Sequence, residues 1–286
     1  MTRAITSLTG IKPARRSPRW NPSDGHRAGA VFDTAQMGHA RGPILRTTSS
    51  PQRELVAVGS KTVVGLKEIR KNGLLAALPA DVLARWSSLL ERIELPLGKV
   101  LYESGGQMSH VVFPTTAIVS LIYILESGAS AEIAVAGREG LVGISLFMGG
   151  NTTPSQAVVQ SAGEGLRVPA AFLMSEFNGN AQVMHLLLRY TQALITQMSR
   201  TAVCNRHHSL DQQLCRWLLL SLDRLPSNEL TMTQELIAHM LGVRREGVNE
   251  AAGRLAREGL ITYRRGRIRV LDRAGLEQRV CECYAV

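Results

Sequence analysis

The stretch AHMLGVRREGVNEAA, residues 238–252, constrains the fold more than any other part of the chain. Before it, Ile237, Met240 and Leu241 recur with helical period, and Ala238 is small where a second helix must approach. After it, Val248, Ala251, Ala252 and Leu255 mark a second helix. Gly242 stands between the two, and glycine can take the left-handed conformation that ends a helix. Upstream, Thr233 is a good N-cap, with Gln234 and Glu235 in the first turn, where the helix dipole favours acidic or neutral polar groups. Small, glycine and branched residues at 238, 242 and 248 give the spacing of a helix-turn-helix.

The second helix carries Arg245, Asn249 and Gly253 on one face, with Arg244, Glu246 and Glu250 beside it. Arginine can bond guanine O6 and N7 together, glutamate can accept from cytosine N4, and asparagine can pair with adenine. The run GLITYRRGRIRVLD then reads as strand, turn, strand, with Arg265-Gly266 at the turn and Arg264, Arg267 and Arg269 around it. Such a wing suits phosphates. The candidate residues for double-stranded DNA are therefore Thr233, Arg244, Arg245, Glu246, Asn249, Arg264, Arg265 and Arg267.

Charge agrees with this placement. Residues 61–230 hold 14 Lys/Arg against 13 Asp/Glu, whereas residues 244–273 hold nine against four. A near-neutral middle with a basic C-terminal segment implies a scaffold or sensor joined to a polyanion-binding module. A competing assignment makes the chain a small-molecule sensor whose winged helix docks a protein. The basic wing argues against it, since a protein-docking surface has no need of so many phosphate-seeking groups.

The remaining chain divides by composition. Residues 1–60, with nine Lys/Arg against three Asp/Glu and much Gly, Pro, Ser and Thr, read as a disordered basic arm, an organelle-type leader or an artefactual extension. Over 72–180, a helix carrying Leu83, Trp86, Leu89 and Leu90 precedes glycine-punctuated runs: KVLYESG, HVVFPTTAIVSLIYILESG, AEIAVAG and AVVQSAGEGLRVP. Alternating apolar and β-branched residues predict an antiparallel roll. Residues 181–225 are helical by period; Leu187, Thr191, Leu194 and Met198 fall on a seam suited to dimerisation. Residues 226–286 hold the winged helix and a short tail. No run reaches the roughly 18 apolar residues that span a bilayer, so a non-membrane, cytoplasmic protein is expected.

From GKVLYESG and GREGLVG through LTMTQELIAHMLGVRREGV to GLITYRRGRIRVLD, residues 72–277 resemble the Crp/Fnr family of bacterial transcription regulators. The resemblance implies an α+β chain: a cyclic-nucleotide-binding-like double-stranded β-helix, a long dimerisation helix and a C-terminal winged helix-turn-helix. It also implies a homodimer on two-fold-related DNA, acting through RNA polymerase. The family's base-reading Arg and Glu carry over to Arg245 and Glu246. Arg244 and Gly247 depart from its usual Ser and Thr, which changes the expected target sequence.

Members that bind cyclic AMP use a Gly-Glu pair for the ribose and a later Arg for the phosphate. Here Gly143 is followed by Ile144, and Ser155 and Gln156 stand where the Arg would be. Losing that charge-assisted contact argues against cyclic AMP as effector. Arg138 and Glu139, within GREGLVG, read as a surface ion pair at a turn.

Four cysteines in a chain this long make no disulfide framework and fit a reducing cytosol. Residues 1–203 contain none, against an iron–sulfur cluster of the family's oxygen-sensing kind. Cys281 and Cys283 offer two ligands, short of a zinc site. Cys204 and Cys215 read as small hydrophobes, and His207-His208 as exposed or capping residues. No cofactor or metal is therefore expected. With no Walker A, GxGxxG, HExxH or GxSxG motif, catalysis is not expected either.

Overall fold

The computed structural model describes residues 64–150 and 152–284, so the basic segment over 1–60 lies outside the described residues. Helices α1 (Leu66–Ile69), α2 (Gly73–Ala76) and α3 (Ala80–Ser87) precede the strands β1 (Glu91–Leu95), β2 (Val100–Tyr102), β3 (His110–Pro114), β4 (Ile118–Ile124), β5 (Ser130–Ala136), β6 (Ser155–Ser161) and β7 (Gly163–Pro169). Then come α4 (Ala170–Gly179), the long α5 (Ala181–His207) and α6 (Leu210–Leu222). The C-terminal part runs β8 (Glu229–Thr231), α7 (Gln234–Leu241), α8 (Arg245–Arg257), β9 (Ile261–Arg264), β10 (Arg267–Val270) and α9 (Arg273–Arg279).

The roll consists of two antiparallel sheets, ordered β1-β7-β3 and β2-β6-β4-β5. The run HVVFPTTAIVSLIYIL, continuous by composition, is split at Pro114 because the chain turns a corner there. β3 stays in one sheet and β4 enters the other. Gly163 permits the crossing: a Cβ there would stand 2.6 Å from the Ala117 nitrogen. β1, ERIEL, pairs with β7; Arg92 and Glu94 point to solvent while Leu95 is buried.

Leu95, Val112, Val119, Leu121, Ala136 and Val159 fill the space between the sheets. The flanking helices close the other face, where Trp86 meets Phe113 and Phe172 edge-on at 6.0 and 5.4 Å. Asn72, fully buried, caps α2 by accepting from Leu75 N at 3.0 Å. Its Nδ2 donates to the Pro114 and Gly140 carbonyls, both at 2.8 Å. One amide thus ties the first helices to the corner and to the GREGLVG turn.

That turn is not closed by an ion pair between Arg138 and Glu139. Both side chains reach the end of α6: Arg138 Nη2 donates to the Asp223 carbonyl at 3.3 Å, and Arg224 Nε donates to Glu139 Oε1 at 2.7 Å. Tyr190 of α5 donates its hydroxyl to the Leu141 carbonyl at 2.8 Å. Its ring lies 2.2 Å from where a Cβ on Gly140 would stand, so residue 140 must lack one.

The helical stretch after residue 180 is broken at His208-Ser209. Ser209 and Gln212 form a reciprocal capping box that starts α6. α6 joins the roll through buried polar groups. Gln160 Nε2 donates to Ser221 Oγ at 3.1 Å, and Ser120 Oγ lies 2.7 Å from Gln160 Oε1 and 2.5 Å from Glu132 Oε2. One hydroxyl hydrogen cannot serve both acceptors. A protonated Glu132 donating to Ser120, which in turn donates to Gln160, satisfies all three. Burial raises Glu132 from 4.5 to about 7, opposed by the Ser120 bond and by the charges of Arg224 and Arg216.

Between those values the folded chain holds a proton that the unfolded chain has released. Stability therefore falls as pH rises through this window, and above it the loss is complete and no longer changes with pH. Relative to wild type, Glu132→Gln should gain on the order of 3 kcal/mol between about pH 5 and 8, measured by urea unfolding.

Candidate nucleic-acid interface

α7 begins where its residues dictate: the Thr233 side chain accepts from Leu236 N at 3.2 Å. It ends at Gly242, whose φ of 65° and ψ of 34° are left-handed. Ile237, Ala238, Met240 and Leu241 are buried, as are Val248, Ala251, Ala252 and Leu255 of α8. Behind both lies α6, supplying Leu214, Leu218, Leu219 and Leu222 to the same core. The third sheet, β8-β10-β9, closes it with Leu230, Ile261, Ile268 and Val270.

The start of α8 faces outward. Arg244 occupies the N-cap position and supplies no side-chain cap, so the first N–H groups of α8 are not satisfied by it. Arg244, Arg245, Glu246 and Asn249 are all exposed. Gln234 Nε2 donates to Asn249 Oδ1 at 2.9 Å, which fixes the amide while leaving its NH2 to donate elsewhere. Farther along, Arg254 of α8 makes a bidentate pair with Asp211 of α6, with contacts of 2.6 and 2.9 Å. Gln234, Arg254 and Asp211 hold α8 in place, and spacing does not reveal them because each contact joins separate elements.

The wing is a two-residue hairpin. Arg264 pairs with Arg267 in register, and the turn residues Arg265 and Gly266 have φ of 49° and 76°. Both central residues of this turn need positive φ, a cost for arginine that glycine avoids. Met232 N donates to the Gly266 carbonyl at 2.6 Å, which brings the wing tip beside Thr233. Burial pushes the Tyr263 phenol up, while the Gln234 backbone and the charge of Arg245 oppose the shift. The head of α8, the cap of α7 and strand β9 therefore converge.

Among the described residues, Arg244, Arg245, Arg264, Arg265 and Arg269 are exposed and form no ion pair, while Arg267 has a long 3.8 Å pair with Glu229. Chemically, this is a convex face with a helix N-terminus and several free guanidiniums. It suits a polyanion.

Leu187, Thr191, Leu194 and Met198 lie elsewhere. The first three are buried and Met198 half-buried, all turned toward the chain's own roll. The side of α5 left in solvent carries Leu188, Gln192, Ile195, Ser199, Ala202 and Val203.

The readings of the cysteines need correction. Cys281 and Cys283 are buried rather than held on a free tail, and they meet Cys204 and His208. Counting two ligands in the tail missed the pair supplied by α5. Cys215 stands apart in the core around α6.

These features define a class: an antiparallel β-roll joined through helices to a winged helix-turn-helix. The family model for the Crp-like helix-turn-helix domain matches residues 212–279. A Crp/Fnr-family regulator from Eubacterium rectale superposes with a TM-score of 0.59 at 17% identity, over 76% of this chain and 100% of that one. FixK2 from Bradyrhizobium japonicum gives 0.56 at 16%, over 68% and 98%. A CRP-family regulator from Thermus thermophilus gives 0.55 at 20%, over 66% and 95%. No curated protein matches the sequence. The chain thus has the fold of Crp/Fnr transcription regulators and carries their helix-turn-helix domain. Among the described residues, no helix is long and apolar enough to cross a membrane.

Gly242→Ala should cost about 1–2 kcal/mol for the left-handed backbone, and its new Cβ would sit 3.2 Å from that of Ala131. The expected outcome is a lower thermal midpoint together with weaker DNA binding.

Proposed function

We propose that the chain binds a specific DNA duplex as a homodimer and regulates transcription through RNA polymerase, without cyclic AMP as its signal. The observation that carries the proposal is the set of exposed guanidiniums around the head of α8 and the wing, free of carboxylate partners. Free cations held on a rigid, convex surface are costly in self-repulsion and are offset when phosphates arrive. Arg245, Glu246 and Asn249 would read base edges; Arg244, Arg264, Arg265 and Arg267 would hold phosphates, with Thr233 at the adjoining helix start.

Dimerisation would use the outer side of α5. Leu188, Ile195 and Ala202 recur every seven residues, and Leu188, Ile195 and Val203 are 44%, 43% and 52% exposed. A heptad apolar stripe in solvent is the pattern of a helix awaiting a partner. The seam named from sequence is spent on the roll, so the partner would meet the neighbouring stripe.

The argument against cyclic AMP lies in the roll. A cavity of about 220 Å³ is lined by Tyr102, Leu121, Tyr123, Leu141, Ile144 and Ser155, among others, and none of its described lining residues is cationic. That is small beside ligand pockets of about 300–1,000 Å³, and a cyclic phosphate would find no guanidinium there.

Arg245→Ala should relax preference at one position per half-site, at a cost of about 1–3 kcal/mol, while Arg267→Ala should weaken all duplexes alike and lower the salt slope by about one. Selection of bound fragments from random DNA checks the first; titration across salt checks the second. A flat salt dependence would instead favour a protein-docking winged helix. Added cyclic AMP should change neither result.

In a separate test, Ile195→Asp should shift the chain from dimer to monomer in sedimentation without unfolding it, since Ile195 is 43% exposed and belongs to neither the core of the roll nor that of the winged helix.

A further inference from the structure

Cys204 and His208 are separated from Cys281 and Cys283 by more than 70 positions in sequence, yet each of the four places a ligand atom within 4.8 Å of all the others. Two elements supply them. Cys204 and His208 are four residues apart at the end of α5, so they share one side of the helix. Cys281 and Cys283 follow α9 in a tight turn, where Tyr284 N donates to the Cys281 carbonyl at 3.1 Å.

We propose that these four residues form a closed Cys3His site for zinc, pinning the C-terminal tail to the junction between α5 and α6. The proposal is independent of the DNA-binding reading.

Geometry is the first support. Tetrahedral zinc with its usual Zn–S and Zn–N arms places two sulfurs about 3.8 Å apart and a sulfur and a nitrogen about 3.6 Å apart. Here Cys204 Sγ and Cys281 Sγ are separated by 3.6 Å, and Cys283 Sγ and His208 Nδ1 by 3.6 Å. The surroundings support the same ligand set. His208 Nε2, on the far side of the ring, lies 3.3 Å from Glu282 Oε2, the carboxylate partner that orients a metal-binding imidazole through its other nitrogen. Gln213 Nε2 holds the carbonyls of Cys204 and His208 at 3.4 and 2.9 Å, fixing the backbone that carries both.

Charge supplies a separate argument. Arg216 is only 7% exposed and makes no ion pair among the described residues. Its Nε donates to the Cys283 carbonyl at 3.2 Å and its Nη2 to Thr201 Oγ1 at 3.1 Å. A buried guanidinium whose hydrogen-bond partners are both neutral is costly. Three thiolates and one imidazole on a divalent ion carry a net charge of about −1, which this guanidinium balances. Zinc binding expels the thiol protons to solvent and leaves the metal's oxidation state unchanged. All four positions are taken by protein, so the site is structural rather than hydrolytic.

The test uses the full chain, purified with reductant and without chelator, then equilibrated with zinc and desalted. Elemental analysis should find about one zinc per chain. Cys283→Ser and His208→Asn should each lose most of it, while Cys215→Ser, outside the cluster, should keep it. Should the ligand variants fail to fold, the wild-type chain still decides. Cobalt added to the reduced, metal-stripped protein should give thiolate-to-cobalt charge-transfer bands and tetrahedral d–d bands, saturating near one equivalent. Zinc should abolish them. Absence of retained zinc and of those bands in fully reduced protein would overturn the proposal, as would iron with acid-labile sulfide in its place.

Discussion

Burial of α6 on nearly every side is the constraint from which the rest of the structure follows. Leu214, Cys215, Leu218, Leu219 and Leu222 are spent on the core of the winged helix. The polar residues of the same helix are buried too, and they point elsewhere: Ser221 to Gln160 of the roll, Arg216 to the tail, Gln213 to the end of α5. A buried polar group without a partner costs about 1–3 kcal/mol, so each of these bonds fixes an orientation more than it adds stability. α6 can satisfy all of them only in one pose. The Asp211–Arg254 pair then sets α8 against that pose.

The division of labour among arginines follows. Arg254, Arg224 and Arg216 each have fixed partners inside the chain. Those at the head of α8 and on the wing face outward without any, except for the weak contact of Arg267. Holding the scaffold with one group of guanidiniums leaves the other group free to meet phosphate without breaking an internal pair. Arg265 adds to this economy. It accepts a positive φ in the turn, where Asn or Gly would be easier, and puts a cation at the wing's tip.

Much of this was legible in sequence because helix periodicity, caps and turns are local. Thr233, Gly242 and the Arg265-Gly266 turn act through their own neighbours, and a reader of residues 233–270 can place them. The Ser209-Gln212 capping box is equally local but is masked by the long apolar-periodic stretch around it. What spacing could not supply was the identity of the surface that each stripe covers. Leu187, Thr191 and Leu194 have the period of a seam between helices, yet the roll takes that face, because Tyr190 and the GREGLVG turn fix the rotation of α5. The thiol cluster was hidden for a different reason. Its halves are separated by the whole winged helix, and only the return of the tail after α9 unites them.

The roll and the helix-turn-helix are in direct contact. The cavity is lined by Leu121 and Tyr123 of β4 and by Ile133 of β5. The same hairpin touches the helix-turn-helix: Ser130 Oγ donates to the His239 carbonyl at 3.4 Å, and Ala131 lies beneath Gly242. A shift of β4 and β5 would therefore press on the turn between α7 and α8 directly. Close packing makes such contacts bistable rather than compliant. Displacement of the hairpin would bear on α7 and α8 together, because Ile237, Ala238 and Leu241 of one share a core with Val248, Ala251 and Leu255 of the other. A glycine at 242 is thus favoured twice, by the left-handed backbone of the turn and by the close approach of Ala131 at 3.2 Å to where a Cβ would stand.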